Sequence, residues 1–227
     1  EGVTVEPYLD RQKLVDRAIG TVTKNLTEGA LIVIFVLILF LGNFRGGLIV
    51  ASVIPLSMLF AIAMMNLFGV SGNLMSLGAI DFGLIVDGAV IIVEAVLHRI
   101  SMSKTHHIGI SKLSQNQMDI EVKQSAGKMM NSAAFGQIII LIVYLPILAL
   151  SGVAGKMFHP MAQTVMFAIL GALILSLTYV PMISTLVLSK KTEHKRNFSD
   201  KMMDFFQRIY KPAIEAALQA KLLVIGL

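Results

Sequence analysis

The sequence predicts an all-α fold, a polytopic bundle of membrane-spanning helices, and three observations support this class. Hydrophobic residues make up 56% of the 227 residues and charged residues only 15%, whereas soluble domains are less apolar and about 25% charged. Several apolar runs are long enough to cross the roughly 30 Å hydrocarbon core of a bilayer. The positive charges cluster in the polar segments between these runs.

The first elements alternate polar and apolar segments. Residues 1–25 are mostly polar, and their later part has helical spacing, which predicts a helix on the outer side that leads into the membrane. The first span is predicted at Leu26–Leu41, followed by a tight turn at 42–47 and a second span at about Leu48–Val70. Pro55 lies inside the second span, where neighbouring helices can satisfy the carbonyl that proline leaves free.

The third span completes a group of three within residues 26–96, and it is the acidic one. It covers Leu74–Val96, a run of 23 residues that contains Asp81, Asp87 and Glu94 but no Lys, Arg or His. At about 100° per residue, Asp87 and Glu94 lie two turns apart on nearly one face, with Asp81 roughly a third of the way round.

The remaining segments are predicted in the same way. Residues 97–130 form a polar, partly helical loop. Residues 131–188 hold the fourth span at about Ala133–Leu150, a connector at 151–160 and the fifth span at about Met161–Leu188. Residues 189–220 form a second polar loop, whose apolar residues at helical spacing predict an amphipathic helix along the interface. Residues 221–227 read as the start of another span, so we expect the chain to be a piece of a longer protein.

The distribution of Lys and Arg predicts the orientation. The segments 42–47, 97–130 and 189–221 carry one, five and eight of these residues, whereas 69–73 and 151–160 carry none and one. The positive-inside rule therefore makes the basic loops cytoplasmic and the N-terminal end external. The net charge of +5 follows from this topology, so it does not indicate nucleic-acid binding.

The three carboxylates are the candidate functional residues. An acidic side chain at membrane depth costs at least about 2.5–3.5 kcal/mol, so such groups usually face a bundle interior or an ion path. A carboxyl group that is shielded from water holds a proton more readily, which suits Asp81, Asp87 and Glu94 to a proton relay. Two alternatives stay open: the same oxygens could touch a metal cation, or they could be structural hydrogen-bond partners of a neighbouring helix.

Other classes of function have weaker support. An intramembrane aspartyl protease needs two carboxylates that share a proton, whereas Asp81 and Asp87 lie about 9 Å apart along one helix axis. No hydrolase or nucleotide-binding motif occurs, which argues against an enzyme. A purely structural membrane module would not need acidic residues in mid-span. The adjacent His106 and His107 are a weak metal candidate in a solvated loop, and no cysteine is present.

Four stretches together resemble a known family. The acidic stretch GAIDFGLIVDGAVIIVE (Gly78–Glu94) resembles the fourth transmembrane helix of the heavy-metal efflux branch of the resistance-nodulation-division (RND) transporters. Three more segments are similar to the same branch: Val5–Ala30, Val143–Ala162 and Leu175–Leu186. By this resemblance the chain covers roughly transmembrane helices 2–6 and the start of helix 7, half of the membrane domain.

The resemblance implies proton-driven efflux of divalent cations of the zinc, cobalt, cadmium or nickel type, by metal–proton antiport. Asp87 would be the central relay residue, assisted by Asp81 and Glu94, with the metal as substrate, protons as coupling ion and no cofactor. It further implies a homotrimer in the lipid of the bacterial inner membrane, with a periplasmic adaptor and an outer-membrane channel. A proton-driven RND exporter of organic compounds is the alternative.

Overall fold

The computed structural model describes residues 11–72, 78, 80–102, 114–189, 208–212 and 214–215. These residues are almost entirely helical and include no strand, which confirms the all-α class. In chain order the helices are α1 (Arg11–Leu41), α2 (Phe44–Leu67), α3 (Phe82–Met102), α4 (Gln115–Leu148), α5 (Gly152–Leu177) and α6 (Tyr179–Val187).

Four of these helices, α1, α2, α4 and α5, are long and apolar enough to cross a membrane. Helix α3 is not among the four, because every 18-residue stretch of it contains Asp87, Glu94 and Arg99. The start of a further span at 221–227 lies outside the described residues. So does most of the predicted amphipathic helix, of which 208–212 and 214–215 are described and helical.

Helices α1 and α4 extend far beyond the predicted spans into polar sequence, and α3 ends at Met102, six residues past the predicted end at Val96. The first begins at Arg11, so the polar lead-in and the first span form one helix of 31 residues. Helix α4 has 34 residues, about 51 Å at 1.5 Å per residue, and its first four turns lie in the segment predicted as a loop. Ser114 and Gln117 form a capping box there, which satisfies backbone N–H groups and fixes the start of α4.

The turn between α1 and α2 is shorter than the predicted 42–47, because α2 begins at Phe44. Gly42 has a φ of 60°, a left-handed conformation that glycine adopts without steric cost. The side chain of Asn43 then accepts hydrogen bonds from the backbone N–H groups of Arg45 and Gly46, at 3.0 and 3.2 Å. This cap starts the helix and leaves Arg45 in its first turn.

The predicted fifth span differs in both its start and its continuity. Helix α5 begins at Gly152, so residues 152–160 of the predicted connector are helical and belong to the same helix as the span. Thr178 separates α5 from α6, and Pro181 accounts for the break, because its ring clashes with the carbonyl of Leu177, four residues earlier.

Helix α3 lies in the middle of the bundle and contacts each of the other five helices. Its core-facing residues are at most 8% exposed, and they recur at helical spacing: Phe82, Ile85, Val86, Ala89, Ile92, Val93, Val96 and Ile100. Much of the buried apolar core and the acidic residues therefore share one central helix.

Helices α2 and α5 approach closely at Gly171, where a Cβ would lie 2.6 to 3.0 Å from three carbons of Phe60, including its Cβ. We predict that Gly171→Ala lowers the free energy of unfolding by about 1–3 kcal/mol, because the ring must leave its position. Gly127→Ala is the control, since a Cβ at Gly127 meets nothing within 4 Å. SDS titration of the purified protein in mixed micelles measures both; equal stability of the two variants would contradict this contact.

Candidate functional site on helix α3

The face of α3 opposite the core carries the polar residues. Asp87, Glu94 and His98 are exposed, and their spacing of seven and four residues places them on one side of the helix. The described helices therefore cover the apolar side of α3 and leave its acidic side open. Within this part of the chain, Asp81 is the charged group close enough to Asp87 to influence it.

Asp81 does not lie within the helix, contrary to the expectation of one continuous span over 74–96. Ile80 and Asp81 are non-helical, and α3 begins at Phe82. Oδ1 of Asp81 accepts a hydrogen bond from the backbone N–H of Gly83 at 2.8 Å. Aspartate is a strongly preferred N-cap residue, because its side chain competes for backbone N–H groups that have no partner inside the helix. Asp81 therefore caps α3, six residues before Asp87.

A cavity of about 500 Å³ lies beside this cap, between α1 and the start of α3. Asp81 and Asn25 supply polar side chains to its wall, while Leu26, Val33 and Phe82 supply apolar ones. Phe82 also packs against Gly29, where a Cβ would be 3.4 Å from the ring. The capping carboxylate thus opens onto a space large enough for several water molecules.

A second polar contact holds the middle of α3. Gln137 of α4 is only 1% exposed, and its carboxamide lies against Gly88, the residue that follows Asp87. Oε1 of Gln137 accepts from the hydroxyl of Ser176 of α5 at 3.3 Å. No motif singled out Gln137 in the sequence, although one polar residue in the apolar run of a membrane helix is itself a signal for an interior position.

A third polar contact joins the other end of α3 to α4. Arg99 donates from Nε to the carboxylate of Glu121 and from a guanidinium NH₂ group to Oε1 of Gln124. Glu121 and Gln124 belong to the polar first turns of α4, so these turns act as a docking surface for the end of α3. The charge of Arg99 is therefore paired with Glu121 of α4.

The described residues contain no group of three or more His, Cys, Asp or Glu side chains placed to hold a metal ion. His106 and His107 lie outside the described residues. The acidic side of α3 therefore consists of separate carboxylates, spaced along a helix, with Asp81 at its start.

Comparison with known proteins identifies the family. A model of the AcrB/AcrD/AcrF family matches residues 1–227. The chain is 49% identical over 218 residues to the cobalt-zinc-cadmium resistance protein CzcA of Cupriavidus metallidurans. This match covers 96% of this chain and 20% of that protein. It is 43% identical over 225 residues to the nickel-cobalt-cadmium resistance protein NccA of Alcaligenes xylosoxydans xylosoxydans, covering 99% of this chain and 20% of that protein.

The fold is similar to that of a solved heavy metal efflux pump, with a TM-score of 0.67 and 41% sequence identity. The match covers 80% of this chain and 17% of that chain. The chain thus spans about a fifth of the length of the curated relatives it matches. On the match of the family model, the chain belongs to the AcrB/AcrD/AcrF family, and the relatives and the solved structure that it resembles are heavy-metal resistance and efflux proteins.

Proposed function

We propose that the full-length protein containing this chain exports divalent heavy-metal cations in exchange for protons, and that α3 is its proton-relay helix. The observation that carries this proposal is the pair Asp87 and Glu94, which lie on the side of the central helix that the described helices leave uncovered. The relatives named for resistance to cobalt, zinc, cadmium and nickel support the class of substrate.

The spacing of the carboxylates determines how such a relay works. Asp87 and Glu94 are seven residues apart, about 10.5 Å along the helix axis, and Asp81 and Asp87 are about 9 Å apart. These separations exceed the reach of a direct hydrogen bond. Protons therefore pass between the carboxylates through bridging water molecules, and each carboxyl group binds and then releases a proton.

Asp81 has a different place in this mechanism from the one its sequence suggests. One of its oxygens is used for the helix cap, and the carboxylate borders the cavity between α1 and α3. In the proposed orientation, with the N-terminal end of α1 external, this cavity is on the outer side. Asp81 is then the first carboxylate that a proton from the outer side reaches. Asp87 is the central proton-binding residue, and Glu94 transfers protons toward the cytoplasmic side.

The wider arrangement is part of the same proposal. The protein lies in the bacterial inner membrane as a homotrimer and works with a periplasmic adaptor and an outer-membrane channel. The metal ion is the transported substrate, and the membrane segment uses no resident cofactor.

Replacing Asp87 by Asn removes the group that binds the proton while preserving its size. We expect zinc-dependent proton flux to fall by at least about 100-fold in proteoliposomes with an imposed proton gradient. Asp119→Asn is the matched control, because Asp119 is an exposed carboxylate in the polar part of α4 and should leave flux unchanged. Undiminished flux in Asp87→Asn would exclude Asp87 from the relay. No flux with any divalent metal, but flux with organic compounds, would favour the organic-compound exporter.

The two roles of Asp81 can be separated by two substitutions. Asn retains the capping oxygen but cannot carry a proton, whereas Ala lacks both and destabilises the helix start by about 0.5–2 kcal/mol. We predict that hydrogen exchange at the Gly83 amide is faster in Asp81→Ala only, while proton flux is reduced in both variants. If Asp81→Asn transports normally, Asp81 is a cap and takes no part in the relay.

A further inference from the structure

Gln137 is a buried polar residue that has no part in the proposed proton relay. We infer that it is a positioning residue for Asp87: its carboxamide holds α3 at Gly88 and thereby fixes where the adjoining carboxylate points. This inference rests on the proposed function for its role in transport, but its geometric part concerns α3, α4 and α5 alone.

The first argument is the closeness of Gln137 to the backbone of α3. A Cβ added at Gly88 would lie 2.8 Å from both Cδ and Oε1 of Gln137, and 3.0 Å from Nε2. The whole carboxamide therefore rests on the helix backbone, at a place that only glycine leaves open. Because Asp87 and Gly88 belong to the same helical turn, a rotation or shift of α3 at Gly88 moves the carboxylate of Asp87 with it.

The second argument is the link to α5. Oγ of Ser176 carries one hydrogen. This oxygen lies 3.0 Å from the carbonyl oxygen of Leu173 and 3.3 Å from Oε1 of Gln137. It can donate to one of them at a time. If the amide turns over by 180°, Nε2 donates to Ser176 while Ser176 keeps its bond to Leu173. In either orientation the amide connects α3 to both α4 and α5.

The third argument is the free-energy cost of burying the amide group of Gln137. Among the described residues, Nε2 of Gln137 is buried without a hydrogen-bond partner. Turning the amide over leaves Oε1 without a partner in its place. A buried polar atom without a partner is unfavourable, so an apolar residue of similar size would serve packing alone at least as well. In some proteins a buried polar group specifies the register of two helices, and we assign this role to Gln137 between α3 and α4.

The surroundings of Asp87 contain few other groups that could orient it. Within the described ranges, Asp81 is the charged group that acts on it, and it lies on the same segment. The charged residues of α4 lie toward its polar start, where Glu121 pairs with Arg99. Those of α5, Lys156 and the titratable His159, lie near the start of that helix, far along the chain from Ser176. Lys24 and Glu28 of α1 pair with each other, and Arg45 of α2 reaches the carbonyl of Val187. Gln137 is therefore a polar constraint from another helix that lies against the residue next to Asp87.

The test uses the full-length transporter with Gln137→Leu, which removes the amide but keeps most of the volume. We expect the kcat of zinc-dependent proton flux to fall roughly 10- to 100-fold, with an unchanged KM for zinc. A second readout follows Asp87 directly: dicyclohexylcarbodiimide adds to protonated carboxyl groups in apolar surroundings, and mass spectrometry gives the extent of labelling at each pH. We expect the pH midpoint of labelling to move by about half a unit or more in Gln137→Leu.

Two glycine substitutions complete the test: one disturbs the same contact from the other side, and the other is the matched control. Gly88→Ala pushes a methyl group into the carboxamide and should act like Gln137→Leu, whereas a Cβ at the neighbouring Gly136 meets nothing within 4 Å and should have no effect. Shortening the side chain relieves the clash, so the double variant Gly88→Ala/Gln137→Asn should regain most of the lost rate. This rescue also keeps the test decisive if Gln137→Leu does not fold.

The outcomes separate the two proposals. If the native protein shows no metal-dependent flux but the labelling midpoint of Asp87 still moves in Gln137→Leu, the proposed function fails and the positioning role stands. If the native protein transports and both the midpoint and kcat are unchanged in Gln137→Leu, the positioning role fails and the function stands. Failure of the double variant to recover would also contradict the contact.

Discussion

Close packing of α3 against its neighbours is the constraint on which the rest of the structure depends. In a lipid environment the hydrophobic effect gives little reason for one apolar helix to prefer another, so van der Waals contact and interhelical hydrogen bonds must hold the bundle. Glycines make this contact possible. Gly46 of α2 receives Val93 and Leu97, and Gly88 of α3 receives the carboxamide of Gln137. Because of these close approaches, the core-facing side chains of α3 are at most 8% exposed to solvent along the whole helix.

The same packing determines where the acidic residues lie. Because the apolar side of α3 is occupied by the other helices, Asp87 and Glu94 must lie on the opposite side, which the described residues leave open. An arrangement with either carboxylate inside the apolar interface would leave a charge without a partner at a cost of several kcal/mol. The exclusion of charge from the core thus keeps both carboxylates outside the apolar interface.

Three polar contacts fix α3 along its length. Asp81 caps its first turn, Gln137 and Ser176 meet it in the middle, and Arg99 pairs with Glu121 at its end. The first and third contacts satisfy groups that would otherwise lack partners near helix ends. The middle contact leaves one amide atom without a partner among the described residues, which distinguishes it from the other two, and it lies against Gly88, the residue next to Asp87.

The sequence by itself determined the class of fold, the approximate spans and the acidic face, because hydropathy and the helical repeat are properties of neighbouring residues. Asp87 and Glu94 share a face for the same local reason. Tertiary structure decided the start of α3 at Phe82, the break between α5 and α6 at Thr178, and the contact of Gln137 with Gly88. The first two depend on which backbone groups find partners, and the third on how two helices distant in sequence are oriented. Periodicity within one segment does not contain that information.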